Sequence, residues 1–162
     1  SYNLGFLETI LEGKYRPGHF QGVCVVVDLL LQAVQPTKLF MGEKDYQQIA
    51  VVQKMLELTN SPVELVRCPT VRSAEGLALS SRNARLSEEQ KVQALAIYKG
   101  FNLATEAAFK QSLLENGFKA IDYVACVDPT TLQEKPYGEK PYLILVAAFI
   151  GGVRLIDNKT FS

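Results

Sequence analysis

Residues 38–66 read KLFMGEKDYQQIAVVQKMLELTNSPVELV, and their pattern decides the fold. Lys38-Leu39-Phe40-Met41 is a short apolar run and reads as a buried strand. Gly42-Glu43-Lys44-Asp45 interrupts it as a loop. Tyr46 to Thr59 follows as an amphipathic helix whose apolar face is Ile49, Val52, Met55, Leu56 and Leu58. Asn60-Ser61-Pro62 stops that helix, and Val63 to Val66 is the next strand. Strand, helix and strand of these lengths make a βαβ unit, which implies a parallel sheet covered by helices.

Upstream, residues 1–13 read as a connection with one helical turn around Phe6 to Leu11, ending at Gly13. Arg16-Pro17-Gly18-His19-Phe20 reads as a turn, since Pro and Gly both punctuate. Gln21 to Gln35 is apolar almost all round apart from Asp28 and Gln32, the profile of a largely buried helix. The β-branched run Val25-Val26-Val27 leaves a strand open at its start.

Downstream of Pro69 the character changes. Thr70 to Asn83 is polar. Ser87-Glu88-Glu89-Gln90 is a capping box opening a helix that runs to about Tyr98. A second helix spans roughly Asn102 to Asn116, with Gly117 just past its end. Ile121 to Val127 is a strand, and Tyr142 to Ile150 and Val153 to Ile156 form a hairpin around Gly151-Gly152. The repeat Glu134-Lys135-Pro136-Tyr137, Glu139-Lys140-Pro141-Tyr142 reads as a solvated connection. The boundary falls between 70 and 84, dividing an α/β part, residues 1–72, from a small α+β part, residues 73–162.

The totals exclude several functions. Seventeen basic residues balance seventeen acidic ones, so no electrostatic footprint for nucleic acid or an anionic membrane is expected. The longest apolar stretches, Val23 to Val27 and Tyr142 to Ile150, are too short to span a bilayer. Cys24, Cys68 and Cys126 show no CxxC spacing, so neither a zinc site nor a disulfide framework is indicated, and each reads as a small buried hydrophobe. A cytoplasmic chain is expected. His19 is the sole histidine, which removes HExxH zinc chemistry. A Ser-His-Asp hydrolase would have to use His19, and no GxSxG turn accompanies it.

Three stretches could carry chemistry. Gly42-Glu43-Lys44-Asp45-Tyr46-Gln47-Gln48 lies at the carboxyl end of a parallel strand and the mouth of a helix, where open α/β sheets bind ligands. Gly42 permits close backbone approach, Lys44 supplies a positive charge for phosphate, Asp45 can cap the helix or accept from ribose hydroxyls, and Gln48 points to the same crevice. An ordinary capped helix has the same pattern. Leu79-Ser80-Ser81-Arg82-Asn83, preceded by Thr70-Val71-Arg72-Ser73-Ala74-Glu75-Gly76, offers hydroxyls and a guanidinium for a polyphosphate, or simply a turn before the capped helix. Arg16 and His19 could gate a site, or His19 could be a structural loop residue.

Taken together, RPGHFxGV, GEKDYQQ, PTVR with GLALSSRN, and the final VRLIDN closely resemble the pantoate–β-alanine ligase (pantothenate synthetase) family, over nearly the whole chain. The resemblance implies a HIGH-type nucleotidyltransferase, with residues 1–72 as the later portion of a Rossmann-like domain binding ATP and pantoate. Residues 73–162 would be the C-terminal domain carrying a KMSKS-like loop at its start. It implies a ligase that uses ATP with Mg²⁺ to adenylate the pantoate carboxylate, after which the amine of β-alanine attacks the pantoyl adenylate to give pantothenate and AMP. Gly42, Glu43, Lys44 and Asp45 resemble the family's ATP-contacting stretch, Gln48 its pantoate glutamine, and Val71 a backbone contact to the nucleotide. Leu79, Ser80, Ser81 and Arg82 resemble its KMSKS counterpart, with Lys44, Ser81 and Arg82 stabilising charge on the phosphates. The family also carries an N-terminal PTMGxLHxGH stretch with two histidines for adenylation, and a second glutamine for pantoate and β-alanine. Neither occurs in this sequence, which is therefore expected to be a fragment inactive alone, of an enzyme that is a homodimer when intact. The alternative is a non-catalytic nucleotide-binding or assembly module of the same fold.

Overall fold

The structure, a computed structural model, describes residues 1–162. The chain forms two compact units, Ser1–Pro69 and Thr70–Ser162.

The first unit holds a 3₁₀ turn at Gly5–Glu8, α1 (Leu11–Tyr15), α2 (His19–Val34), β1 (Lys38–Gly42), a 3₁₀ turn at Glu43–Asp45, α3 (Tyr46–Leu58) and β2 (Glu64–Cys68). β1 and β2 pair in parallel, with Gly42 opposite Cys68, as the βαβ reading requires. α3 buries Ile49, Val51, Val52, Met55 and Leu56, whereas Leu58 is exposed. The helical turn expected around Phe6 to Leu11 is the Gly5–Glu8 turn, and Gly13, expected to end it, lies inside a separate helix, α1. A side chain there would run into the Glu8 backbone, so this glycine marks a close approach of two chain segments rather than a stop. His19 and Phe20 open α2 rather than belonging to the preceding turn, and Gly18 supplies the left-handed residue before it at φ 79°.

Two expectations of burial fail in this unit. α2 buries only Phe20 and Cys24, while Val25, Val26, Leu29, Leu30 and Val34 stand in solvent. Only the stripe continued by Val23, Val27 and Leu31 packs against the Val51, Val52, Met55 and Leu56 cluster. β1 is likewise half-exposed: Leu39 and Met41 pack inward, but Phe40 points outward. In both elements apolar composition exceeds the apolar area this unit covers, so hydrophobicity alone overstates burial. Cys24 is buried, and desolvation pushes its thiol up to about 11. Cys68 is only half-buried, which corrects the expectation for that residue.

The second unit holds a 3₁₀ turn at Ser81–Arg85, α4 (Glu88–Ala94), α5 (Ala96–Gly100), α6 (Glu106–Glu115), β3 (Ala120–Val127), β4 (Tyr142–Ile150) and β5 (Val153–Phe161). The sheet order is β3-β4-β5, antiparallel throughout. The capping box is present in full: Ser87 Oγ accepts from the Gln90 amide, and Gln90 Oε1 accepts from the Ser87 amide. The helix it opens breaks at Leu95 into α4 and α5. α6 begins later than expected, capped by Thr105 Oγ1, and Gly117 takes the left-handed conformation after it at φ 90°.

The core of this unit is formed by Ile97, Phe101, Phe109 and Leu113 from the helical layer, with Phe118 from the connection after α6, against Val124, Ile144, Val146, Ala148 and Ile150 of the sheet. Phe101 and Phe109 meet edge to face at 5.4 Å between centroids. β5 continues well past Ile156, the expected end of the hairpin, with Asp157 and Asn158 buried within it. The repeated tyrosines are packing residues as well: Tyr137 and Tyr142 lie against the core, and Tyr142 stacks on Phe161 at 4.6 Å. No helix is long and apolar enough to cross a membrane.

Candidate functional site

In the first unit, the parallel pairing brings the carboxyl ends of β1 and β2 side by side, and the chain leaves β1 at Gly42 into the Glu43–Asp45 turn. Lys44 Nζ lies 3.8 Å from the Asp45 carboxylate. Asp45 occupies the N-cap position of α3 but makes no capping bond. This corrects the capped-helix reading: the carboxylate turns to its lysine, and no side chain of this residue closes the helix start. Donors at such a start are suited to an anionic oxygen. Arg67, one residue before the end of β2, places its guanidinium 4.9 Å from the centroid of the Tyr46 ring. It adds a cation that sequence reasoning missed, and the register Met41–Arg67 alone would have placed it beside the turn.

Gln47 and Gln48 begin the same helix and do different work. Gln47 is buried. Its Oε1 accepts from the Glu12 amide at 3.0 Å, and its Nε2 donates to the carbonyls of Leu7 and Ile10 at 2.8 and 3.0 Å. It thus ties the Gly5–Tyr15 segment to the first turn of α3. Gln48 is half-buried and makes none of these bonds. Arg16 and His19 join each other at the α1–α2 junction, Nη1 to Nε2 at 3.1 Å, and Arg16 also lies 3.8 Å from Glu12.

In the second unit, residues 71–79 form a miniature antiparallel ladder. Arg72 bridges Ala78, the Leu79 amide donates to the Val71 carbonyl at 2.9 Å, and the Ser73 amide donates to the Leu77 carbonyl at 2.8 Å. Side chains alternate across such a ladder. Val71 and Leu79 therefore stand side by side in solvent, 68% and 52% exposed, while Ala78 is buried on the opposite face. Ser80 Oγ accepts from the Arg82 amide, opening the Ser81–Arg85 turn. Arg82 Nη1 donates to the Arg154 carbonyl at 3.2 Å, and Arg154 Nε in turn meets Asp122 at 2.8 Å. Asn83 Nδ2 donates to the Ala78 carbonyl.

Sequence reasoning also missed what joins the PTVR and VRLIDN stretches. Arg72 donates from Nη1 to Asp157 Oδ2 at 2.6 Å and from Nη2 to Asp157 Oδ1 at 2.9 Å. Such a fork is the strong form of the arginine–carboxylate pair. The hydrogen bonds to Asp157 push the guanidinium still further above its ordinary value. An arginine and an aspartate separated by 85 positions give no local signal, and only the fold reveals the pair.

No group of three or more His, Cys, Asp or Glu side chains converges to hold a metal ion. Glu43 and Asp45 are the carboxylates on the Lys44 turn.

Comparisons with known proteins bear on the family and the fold. The family model described as pantoate-beta-alanine ligase matches residues 2–160. A pantothenate synthetase of Clostridium botulinum (strain Kyoto / Type A2) is 42% identical over 99% of this chain and 62% of its own length. The crystal structure of pantothenate synthetase from Thermus thermophilus superimposes with a TM-score of 0.90 at 39% identity, covering 98% of this chain and 62% of that one. A Francisella tularensis pantoate-beta-alanine ligase, solved in complex with "Beta-gamma ATP" and β-alanine, gives a TM-score of 0.79 at 34% identity, over 95% of this chain and 55% of its own. The chain thus spans less than two thirds of the length of these relatives. Its mixed architecture, a parallel sheet and a separate antiparallel one, matches theirs, and the chain belongs to the pantoate–β-alanine ligase family.

Proposed function

We propose that the protein containing these residues condenses pantoate with β-alanine at the expense of ATP, and that this chain supplies nucleotide and pantoate contacts. The observation that carries the reading is the Gly42–Asp45 turn, which leaves a parallel strand at the start of α3 with Lys44 on it and no side-chain cap from Asp45. The relative from Francisella tularensis, with its nucleotide and β-alanine, supports the same substrates.

The chemistry proceeds in two balanced steps. A pantoate carboxylate oxygen attacks the α-phosphorus of ATP, the bond to the bridging oxygen breaks, and pyrophosphate leaves. The β-alanine amine then attacks the acyl carbon of the pantoyl adenylate, forming the amide, losing a proton and expelling AMP. Both steps need positioning and charge stabilisation more than a protein nucleophile. Lys44 offers its ammonium to phosphate oxygens, and in the second unit Ser81 and Arg82 offer donors suited to the same kind of oxygen. The Gly42, Glu43 and Asp45 backbone and carboxylates frame the ribose and phosphates. Gln48 offers its amide to pantoate. Val71 and Leu79, paired across their ladder, present apolar surface and backbone groups to the nucleoside, and Ser80 shapes the turn that follows. Mg²⁺ supplies charge neutralisation on the phosphates when bound, held by the nucleotide, with Glu43 and Asp45 as the carboxylates offered by the Lys44 turn. The complete protein is read as a homodimer, which sedimentation tests.

The complete protein supplied with ATP, Mg²⁺, pantoate and β-alanine should release AMP in a 1:1 ratio with pantothenate, a stoichiometry set by the chemistry itself. Pantoate alone should support exchange of labelled pyrophosphate into ATP. Nucleotide binding with neither exchange nor AMP release would replace the ligase with a non-catalytic module.

A further inference from the structure

We propose that Arg72 and Asp157 form a positioning latch that holds the Val71–Leu79 ladder in the geometry that receives the nucleotide. The inference rests on the nucleotide reading of that ladder. One guanidinium gathers three elements. It donates to both Asp157 oxygens and to the Asn158 carbonyl on β5, and to the Gly76 carbonyl at the ladder's tip, at 3.1 Å. It also lies 5.1 Å over the Tyr98 ring of α5. Gly76 sits at φ 110°, so close to Tyr98 that a side chain would run into the ring. Asp157 is nearly buried, its side chain 4% exposed, and its Oδ1 accepts the Asn158 amide as well.

The remainder of the ladder is thinly held. Residues 70–80 bury Gly76 and Ala78 alone, with Leu77 packed at the margin of the core. Two cross-ladder hydrogen bonds, a tight turn from the Gly76 amide to the Ser73 carbonyl, the Leu77 amide on Ser73 Oγ and Asn83 Nδ2 on the Ala78 carbonyl hold the rest. A segment so short and polar gains little order from burial, and its two exposed apolar residues favour no one conformation. The latch supplies the order from beneath. Arg72 and Val71 are adjacent, so alternation puts the guanidinium on the β5 side when Val71 faces out. β5 backs the segment again at Arg154, whose carbonyl receives Arg82. The strand carrying VRLIDN thereby fixes both the ladder and the Ser81–Arg85 turn, although neither Arg72 nor Asp157 need touch the nucleotide. A site held in advance by supporting residues binds more tightly than one ordered by its ligand.

The test compares Asp157→Asn, Arg72→Lys and Arg72→Ala in the complete protein, reading steady-state kinetics and amide hydrogen exchange. The latch predicts a rise in the KM for ATP of about tenfold for Asp157→Asn, with the KM for pantoate within about twofold. Arg72→Lys should fall between the parent and Arg72→Ala, because it keeps the charge and loses the fork. The Leu79 amide should exchange faster in every variant while the amides pairing β3 with β4 stay protected. An unchanged KM for ATP overturns the proposal, as does exchange that accelerates equally in Leu79 and the β3–β4 ladder. A parent protein without ATP-dependent activity refutes the nucleotide reading instead, and the Leu79 amide then still decides whether the pair holds the ladder.

Discussion

The two sheets of this chain handle apolar sequence in opposite ways. β4 is enclosed almost throughout, with Leu143, Ile144, Val146, Ala147 and Ala148 nearly inaccessible between its two partners and the helical layer. β1 is similarly apolar but lies in a two-stranded sheet, where Phe40 is 64% exposed. A two-stranded sheet has little independent stability, whereas three strands backed by helices can sustain a core. The second unit thus gives its loops a rigid floor. In the first unit the groups with chemistry to offer sit on a more open frame, and a single buried glutamine ties its leading segment down.

The largest effect should come from the enclosed core. Phe109→Ala removes a fully buried ring that meets Phe101 and should cost about 3–5 kcal/mol in urea unfolding of the second unit. By contrast, Val26→Ser on the exposed face of α2 should change stability by less than about 0.5 kcal/mol. If the two substitutions cost the same, the contrast between the units is wrong.

The Gln47→Ala substitution strands one amide and two carbonyls of the leading segment. It should destabilise the first unit by about 2–3 kcal/mol, with faster exchange of the Glu12 amide as the local readout. The Ser87→Ala variant breaks the capping box and should cost about 1 kcal/mol, seen as a lower unfolding midpoint. Smallest of all is Lys44→Ala. Its ion pair with Asp45 is partly exposed and 3.8 Å long, so stability should move by no more than about 0.5 kcal/mol while ATP use falls steeply.

Much of this architecture was legible because its signals are local. The 38–66 stretch carries its own periodicity and stops, and the Ser87–Gln90 capping box is a reciprocal contact within one turn. Long-range contacts were invisible. The Gln47 side chain reaches back as far as Leu7, yet nothing in the pair Gln47-Gln48 says which one builds and which one is free. The strand expected to end at Ile156 runs on through Asp157, because Arg72, 85 positions away, pairs with its carboxylate. Burial of α2 and β1 was overestimated for a related reason. Composition reports what a surface would gain from being covered, while coverage depends on neighbours that the residues themselves do not encode. The site residues on the Gly42–Asp45 turn and the Val71–Leu79 ladder came from motifs. Their chemistry followed from the elements that present them.

A division of labour runs through the chain: side chains with many internal partners build the frame, and neighbours with few are the ones proposed to meet substrates. Gln47 and Gln48 test it most directly, being adjacent residues of one type. In the complete protein, Gln48→Ala should raise the KM for pantoate about tenfold, the equivalent of one lost hydrogen-bonded contact, with the unfolding midpoint unchanged. Gln47→Ala should lower the midpoint and leave the KM for pantoate of the folded fraction nearly as it was. A Gln48 variant that loses stability but keeps its affinity for pantoate would overturn that division.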